Sequence, residues 1–435
     1  MNQQPDAIII GAGVIGCAIA YELSKRGYKT LNIDKLPAAG FGSTSNSCAI
    51  VRFHYSTLDG ARMAFENYFY WKDWENYIGP VDERGYSKYV ECGFVIFRNN
   101  DPSEQNFINI FKKIGVDYEE WSLDTLREKF PIGDLHTFSP PRPINDDTFW
   151  EDPTTPLTGG IYNPQGGYVN DPQLATYNLM LAAKRHGGDF LFNAEIVDVR
   201  KENGRVAGIT LADGEKIDAS VVINVAGPHS FVINRMAGVE EGMNIKTRAL
   251  RREVHHVPSP NGFNFTENGF VFSDADVGIY YRPETGNNIL VGSADPQCDP
   301  KEWIANPDEV NAHLTNQIWK TQVYRLARRI PDLPIPEKLS GIVSMYDVSN
   351  DWIPIYDQSD LPGFYLAVGT SGNQFKNAAG VGHLMAELID AVENGQKHDE
   401  NPVQVKMPYT GVVLNAGFYS RLRELNAGSS FTVFG

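Results

Sequence analysis

A glycine-rich turn near the start of the sequence constrains the fold more than any other feature. Residues 7–10 are apolar and predict a buried strand, and Gly11-Ala12-Gly13-Val14-Ile15-Gly16 follows directly. Residues 17–26 carry apolar side chains at helical spacing, Gly27 ends that pattern, and residues 30–34 predict a second strand. The order of strand, glycine turn, helix and strand predicts a βαβ unit and therefore an α/β fold.

The spacing of these glycines is typical of a dinucleotide site. Gly11 permits the tight turn, Gly13 lets the backbone approach a pyrophosphate, and Gly16 allows close packing of helix and strand. The pyrophosphate then lies at the positive end of the helix. Asp34 stands at the end of the second strand, where its carboxylate can accept the hydroxyls of an adenosine ribose. A glycine-rich turn without a nucleotide is the alternative, but it does not explain Asp34.

The charge balance disfavours some classes of binding partner. The 435 residues include 38 Lys and Arg against 54 Asp and Glu, a net charge of −16. This field repels phosphate backbones and anionic lipid, so we expect neither nucleic acid nor a membrane surface as a partner. An anionic small substrate requires a local cluster of positive charge. Four scattered cysteines, no cleaved leader and no apolar stretch of spanning length predict a soluble cytoplasmic protein.

A second domain is predicted from a change in pattern. Residues 247–300 alternate as β-strands and residues 308–330 predict a helix, whereas residues 131–171 read as a crossing segment without a core. Residues 190–200 predict one strand, and residues 363–369 a strand before another glycine loop. We therefore assign residues 1–85, 145–240 and 335–395 to a nucleotide-binding domain, 86–144 and 241–334 to a substrate domain, and 396–435 to an extension without evident chemistry.

Five segments together resemble the FAD-dependent amine and amino-acid oxidoreductases, the family of sarcosine oxidase, glycine oxidase, dimethylglycine dehydrogenase and bacterial D-amino-acid dehydrogenase. The resemblance implies a Rossmann-like FAD domain of the glutathione reductase type and an α+β substrate domain on a mostly antiparallel sheet. The segments occur in family order: GAGVIG with Asp34, STSNSCAIVRFHY (43–55), GGIYNPQGGYVNDPQLA (159–175), VVINVAGPHS (221–230) and AVGTSGNQFKNAAGVGHLMAELI (367–389).

The resemblance also implies which residues contact FAD. The late glycine loop matches the place where the family lays backbone N–H groups along the flavin, and these dipoles stabilise negative charge on the reduced ring. The implied cofactor residues are Gly11, Gly13, Val14, Ile15, Gly16, Asp34, Lys35, Ser43, Thr44, Ser45, Val197, Ala226, Gly227, Gly372, Asn373, Gln374, Phe375 and Lys376.

The substrate residues follow from the same resemblance. Arg52 and Lys376 match the pair that holds the substrate carboxylate, and a guanidinium fork beside an ammonium suits that task. The alternatives are a surface salt bridge for Arg52 and a solvent-exposed lysine at a helix start for Lys376. Tyr346 matches a tyrosine beside the substrate, and a core tyrosine with a satisfied hydroxyl is the alternative. His54 is a candidate base. Tyr55, Tyr280 and Tyr281 are further candidates for the pocket wall, although packing explains such aromatics equally well.

Two departures from the family pattern affect the expected chemistry. Ser344 stands where sarcosine oxidases have the cysteine that bonds to the flavin, so we expect noncovalent FAD. Leu290 stands near the place of a lysine that promotes reaction with oxygen, which favours a dehydrogenase with a quinone, an electron-transfer flavoprotein or another carrier. Oxygen as the acceptor is the alternative. His255 and His256 lack a third ligand, so no metal site is predicted.

The resemblance leads to the hypothesis that the protein oxidises the C–N bond of a small amino acid or an N-methyl amino acid by hydride transfer to flavin N5. Arg52 and Lys376 fix the carboxylate, and the resulting imine hydrolyses. Oxidation of a D-amino acid, or of a 2-hydroxy acid with His54 as base, is an alternative. A non-catalytic flavoprotein scaffold is a third reading.

Overall fold

The computed structural model describes residues 4–99 and 103–435, and its first layer is a six-stranded sheet. Five neighbouring strands are parallel and the strand at one edge is antiparallel. All six contribute apolar side chains to buried clusters on the two faces of the sheet. Their spatial order is Ile355–Gln358, Phe364–Val368, Val221–Asn224, Ala7–Ile10, Thr30–Ile33 and Asp189–Leu191.

The predicted βαβ unit is confirmed. The helix Val14–Lys25 begins after Gly13 and runs between the strands Ala7–Ile10 and Thr30–Ile33. A Cβ at Gly16 would lie 2.3 Å from the carbonyl oxygen of Gly11, so only glycine allows this approach. The Asn32 amide ties the turn together by donating to the carbonyls of Gly11 and Gly16, at 3.0 and 3.2 Å.

Two other helices pack against the helix of this unit. The helix Val14–Lys25 packs against Pro172–Arg185 and Ala378–Glu393, which come from distant parts of the sequence. The remaining α-helices are Leu58–Lys72, Trp74–Ile78, Ser103–Ile114, Leu123–Lys129, Ser230–Ala237, Phe265–Asn268 and Asn316–Arg329. Within residues 4–99 and 103–435, no helix combines the length and the apolar character needed to cross a bilayer.

A nine-stranded, mostly antiparallel sheet forms the second layer. Its long strand Thr247–Pro258 pairs with Gly341–Ser349 and with Asn288–Ser293, and the helix Asn316–Arg329 packs on it. The Arg329 guanidinium is fully buried and pairs with the Asp274 and Asp276 carboxylates, at 2.8 Å each. The other strands are Phe94–Arg98, Glu119–Trp121, Gly159–Asn163, Val271–Asp274, Ile279–Glu284 and Trp303–Ile304.

Three small sheets complete the fold. Their strands are Ile196–Glu202, Arg205–Leu211 and Lys216–Asp218; Ile50–Val51, Gly167–Val169 and Tyr89–Val90; and Gln404–Lys406 with Val413–Asn415.

Three predicted elements were wrong. Residues 131–171 are not a bare crossing, because Gly159–Asn163 belongs to the nine-stranded sheet. The single strand at 190–200 is two strands in different sheets, separated where Asn193 adopts a φ of 55°. The helix expected over 308–330 begins only at Asn316, after a Thr315 hydroxyl that accepts from the Ile318 amide.

The strand Gly341–Ser349 also pairs within the nine-stranded sheet, although it lies in a range assigned above to the nucleotide-binding domain. The domain boundaries themselves stay a prediction. Residues 396–435 pack closely on the body of the protein: the Glu66 carboxylate accepts from the Tyr409 and Thr410 amides at 2.8 Å, and Arg421 donates to Asp357 at 3.1 Å.

Candidate functional site

A cavity of about 810 Å³ runs between the two large sheets. At one end it is lined by Ile10, Ile33 and Val225, at the carboxyl ends of the parallel strands. At the other it reaches Arg252 and Met345 on the nine-stranded sheet. Its volume lies toward the upper end of the ~300–1,000 Å³ typical of ligand pockets. The cavity therefore occupies the place where open α/β sheets bind their ligands.

The first glycine turn forms the nucleotide end. Gly11, Gly13 and Gly16 line the cavity. The Asp34 carboxylate accepts from the Ala12 amide at 2.8 Å and from the Leu36 amide at 2.9 Å, which fixes it at the end of its strand. Each carboxylate oxygen has two lone pairs, so both retain acceptor capacity for a ribose.

A contact that the sequence did not indicate crosses this end of the cavity. The Lys35 ammonium and the Asp308 carboxylate form an ion pair, and the His229 ring nitrogen lies 3.0 Å from the same carboxylate. All three residues line the cavity. Asp308 lies in the short 3-10 helix Pro307–Glu309, ahead of the helix Asn316–Arg329, in a stretch that was predicted to be the start of that helix.

The late glycine loop forms the opposite wall. Gly372 has a φ of 70°, and a Cβ there would lie 2.3 Å from the Tyr346 ring, so glycine is required. Asn373 lines the cavity, and its buried Nδ2 has no hydrogen-bond partner among the described residues. A buried unpaired donor is costly. It marks a place where a ligand carbonyl would complete the hydrogen bonding.

Asp347 is hydrogen-bonded to the start of the late glycine loop, and it lines the cavity. Its carboxylate accepts from the Gly369 amide at 2.6 Å and from the Ser230 hydroxyl at 2.8 Å. Burial raises the pKa of Asp347 to about 7, against the lowering effect of these donors. A carboxyl that titrates near neutral pH is thus built into the base of the loop.

We expect this carboxyl to make stability pH-dependent. Unfolded Asp347 releases its proton near pH 4 while the folded group keeps it to about pH 7. The free energy of unfolding should therefore fall as the pH rises from 4 to 7, by up to about 4 kcal/mol at 1.36 kcal/mol per pKa unit. Asp347→Asn, which mimics the protonated form, should remove this component in urea titrations at pH 5 and 7.5. Asp360→Asn, at an exposed carboxyl, is the control. Equal pH profiles for wild type and Asp347→Asn would contradict this assignment.

Arg52 and Lys376 both lie at the cavity wall, next to the same tyrosine ring. The Arg52 guanidinium carbon and the Lys376 Nζ lie 4.9 and 5.0 Å from the centre of the Tyr55 ring. Both side chains are buried, and both line the cavity. Arg52 donates to the carbonyls of His54 and Val433, and Lys376 donates to the Asn373 carbonyl at 2.7 Å.

Neither cation has an acidic partner within residues 4–99 and 103–435. Every ion pair of the described chain involves other residues. Burial, and then the neighbouring Arg52 charge, hold the pKa of Lys376 well below its usual range, and burial lowers the pKa of Arg52. Two buried basic groups without a counter-ion form a site that an anion would stabilise, because its charge favours their cationic forms.

His54 does not face the cavity. Its ring packs between those of Phe94 and Phe434, at centroid distances of 4.4 and 4.9 Å, and its Nε2 has no described partner. Burial, with the nearby Arg52 and Lys376 charges, holds the pKa of His54 well below its usual value. The structure does not bring His54 to the cavity wall, and its role as a base stays a prediction.

The remaining wall, mostly from the nine-stranded sheet, combines predicted residues with two that the sequence analysis did not single out. Tyr346 and Tyr280 line the cavity as predicted. Arg252 lies 5.2 Å above the Tyr346 ring and pairs with the Asp295 carboxylate at 2.6 Å. Cys48 also lines the cavity, with its Sγ 3.1 Å from the Tyr280 hydroxyl. Arg252 lay in a predicted strand of uniform pattern, so no local signal marked it.

Most predicted site residues come together around the cavity. All the implied cofactor residues line it except Ser45, whose hydroxyl donates to the Gly42 carbonyl instead. Ser344 lines the cavity. Tyr55, Tyr281 and Leu290 do not: Tyr281 and Leu290 are buried on the nine-stranded sheet, and Tyr55 donates to the Asn373 carbonyl behind the loop. The roles of the lining residues stay predictions.

The lining residues fit FAD. The glycine turn and Asp34 suit a pyrophosphate and a ribose, and the unpaired Asn373 amide suits a ring carbonyl. Ser344 offers a hydroxyl where a thioether link would need a thiol, which agrees with noncovalent binding.

Comparison with curated proteins gives relatives across nearly the whole chain. FAD-dependent oxidoreductase domain-containing protein 1 of Xenopus laevis is 24% identical over 430 residues, covering 91% of this chain and 80% of the relative. Sarcosine oxidase subunit beta of Rhodobacter capsulatus is 24% identical over 392 residues, covering 88% and 84%.

Solved structures with the same fold include L-proline dehydrogenase from P. horikoshii, with a TM-score of 0.74 at 20% identity over 97% of this chain and 98% of that one. Glycine oxidase from Geobacillus kaustophilus has a TM-score of 0.73 at 17% identity over 98% and 100%. These similarities confirm the predicted fold class. The family model described as FAD dependent oxidoreductase (DAO) matches residues 6–388. The chain therefore belongs to the DAO family of FAD-dependent oxidoreductases.

Proposed function

We propose that this protein oxidises the C–N bond of a small amino acid or an N-methyl amino acid. The observation that carries the proposal is the buried pair of cations, Arg52 and Lys376, on the wall of the cofactor cavity and without an acidic partner among the described residues. A substrate carboxylate supplies the missing charge. The names of the relatives agree, since they act on sarcosine, glycine and L-proline.

The chain's own residues bind and orient the substrate in this proposal. FAD supplies a two-electron acceptor at flavin N5. Arg52 presents a planar fork to the carboxylate, and Lys376 adds a point charge beside it. This grip places the adjacent carbon for transfer of a hydride, which leaves with both electrons of its C–H bond. The amine enters as the free base, and its lone pair forms the imine as the hydride departs. Water then hydrolyses the imine to a carbonyl compound and an amine.

Oxidation of a 2-hydroxy acid is less well supported. That reaction needs a base for the hydroxyl proton, and His54, the candidate from the sequence, lies outside the cavity wall. A D-amino acid remains within the main proposal, because the same clamp holds either enantiomer. A scaffold without catalysis leaves unexplained two buried cations that cost folding energy.

We further propose a dehydrogenase rather than an oxidase. A bound carboxylate neutralises Arg52 and Lys376, and Asp295 already neutralises Arg252. Lys35, the remaining lysine of the described cavity wall, pairs with Asp308. No free cation is then left among these residues to stabilise superoxide-like charge beside the flavin. The proposed electron acceptor is accordingly a quinone, an electron-transfer flavoprotein or a similar carrier. The proposed location of the protein stays the cytoplasm.

Flavin bleaching tests both proposals. The purified holoprotein is mixed without oxygen with sarcosine, glycine, proline or D-alanine, and separately with lactate and 2-hydroxyglutarate. We expect loss of the oxidised flavin band with at least one amino acid and with neither hydroxy acid. Bleaching by the hydroxy acids alone would overturn the C–N assignment. Return of the band within seconds in air would overturn the dehydrogenase assignment only.

A further inference from the structure

The segment 429–435 closes the cavity beside Arg52. The Val433 carbonyl accepts from the Arg52 guanidinium, and the Ser56 amide donates to the Phe434 carbonyl at 3.0 Å. The Val433 side chain is buried with those of Leu250, Val348 and Trp352. Val433 and Phe434 both line the cavity. The segment expected to have no chemistry therefore forms part of the cavity wall.

The Phe434 ring is fixed directly over the cation. Its centre lies 4.8 Å from the Arg52 guanidinium carbon and 4.9 Å from the centre of the His54 ring. The Phe107 ring packs against it at 6.4 Å. A ring held in this way by neighbours and by its own anchored backbone cannot yield easily to a ligand.

We propose that Phe434 determines substrate size: its ring limits the space next to the Arg52 anchor, so that small amino acids fit and bulky ones are rejected. This inference rests on the proposed function, because it requires a carboxylate at Arg52. The α-carbon is bonded directly to the carboxylate carbon, so the side chain of a bound amino acid begins close to Phe434. A rigid aromatic wall at that point excludes side chains by steric clash.

Ligand binding can be measured without turnover. Acetate and phenylacetate are titrated into the holoprotein, and their dissociation constants are obtained from the change in the visible flavin spectrum. In wild type we expect acetate to bind and phenylacetate to bind at least tenfold more weakly. In Phe434→Ala the ratio of the two constants should shift by tenfold or more toward phenylacetate. Acetate affinity should change by less than about threefold, because Arg52 and Lys376 remain. Phe431→Ala, at an exposed ring of the same segment outside the cavity, should behave as wild type.

A catalytic readout complements the binding assay. Anaerobic bleaching rates with sarcosine or alanine and with phenylalanine should show the same shift in selectivity. Phe434→Leu should give an intermediate ratio and Phe434→Trp a stricter one, so the series tests the inference even if the alanine variant folds poorly. An unchanged ratio across FAD-loaded variants would overturn the role of Phe434 and leave the proposed function intact. If wild type binds no carboxylate and no amino acid bleaches it, both fail together.

Discussion

Gly13→Glu is expected to give a folded protein that does not retain FAD. A Cβ at Gly13 meets only the Thr44 hydroxyl, at 3.2 Å, so the fold can take a side chain there with a small shift. The added carboxylate enters the cavity at the helix N-terminus, where the pyrophosphate is expected, and like charges so placed cost several kcal/mol. We expect at least a 1,000-fold weaker FAD affinity, measured by the flavin spectrum of the purified protein and by titration of the apoprotein.

Two glycine variants make the test specific. Gly13→Ala should keep most of the cofactor, since it adds a methyl group but no charge. Gly11→Ala should instead destabilise the fold itself, because Gly11 has a φ of 117° and its Cβ would lie 2.5 Å from the Val225 carbonyl oxygen. Circular dichroism and thermal unfolding of the apoproteins separate the two effects. A yellow Gly13→Glu protein with stoichiometric FAD would refute the assignment of this turn to the pyrophosphate.

Arg52→Met is expected to lower kcat/KM by about 30- to 5,000-fold. Removing one partner of a buried charge pair costs about 2–5 kcal/mol, which converts to this range at 1.36 kcal/mol per tenfold. The carboxylate positions the reacting carbon, so kcat should fall as well as KM rise. The rates are measured with an artificial electron acceptor and whichever amino acid bleaches the wild type.

Two further variants distinguish a role in substrate binding from a role in the stability of the fold. Arg52→Lys keeps the charge and loses the planar fork, so it should recover part of the affinity but little of the orientation. Lys376→Met should raise KM in the same direction. Each variant must retain the flavin spectrum of the wild type. If Arg52→Met keeps wild-type kinetics, the carboxylate is held elsewhere and the proposed function loses its main support.

The features that were predicted correctly are those that depend on residues close together in the sequence. The βαβ unit and the glycine loop at Gly372 are local patterns, because turn and helix signals act over a few residues. His54 illustrates the limit: it lies two residues from Arg52, yet the ring is turned away from the cavity and packed among aromatics. Spacing along an irregular segment does not determine which way a side chain points.

Contacts between distant segments were not predictable from a single sequence. Phe434 meets Arg52 across most of the chain, and Asp308 meets Lys35 in the same way. Arg252 lies on a strand whose alternation indicates only a sheet, and Asp295 follows the end of another strand. Such pairs depend on the packing of complete domains. For this reason the wall of the cavity beside Arg52 emerged only from the structure.

The interleaved order of the parallel sheet affects how the protein can be made. Ala7–Ile10 pairs on one side with Thr30–Ile33, but its other neighbour is Val221–Asn224, which itself awaits Phe364–Val368. At roughly 5–20 residues per second, translation takes about 10–40 s to proceed from Ala7–Ile10 to Val221–Asn224. During that time one side of the strand Ala7–Ile10 has no partner. An apolar strand exposed on the ribosome for so long favours aggregation, so we expect the yield of this protein to respond strongly to chaperone supply and to slower growth at low temperature.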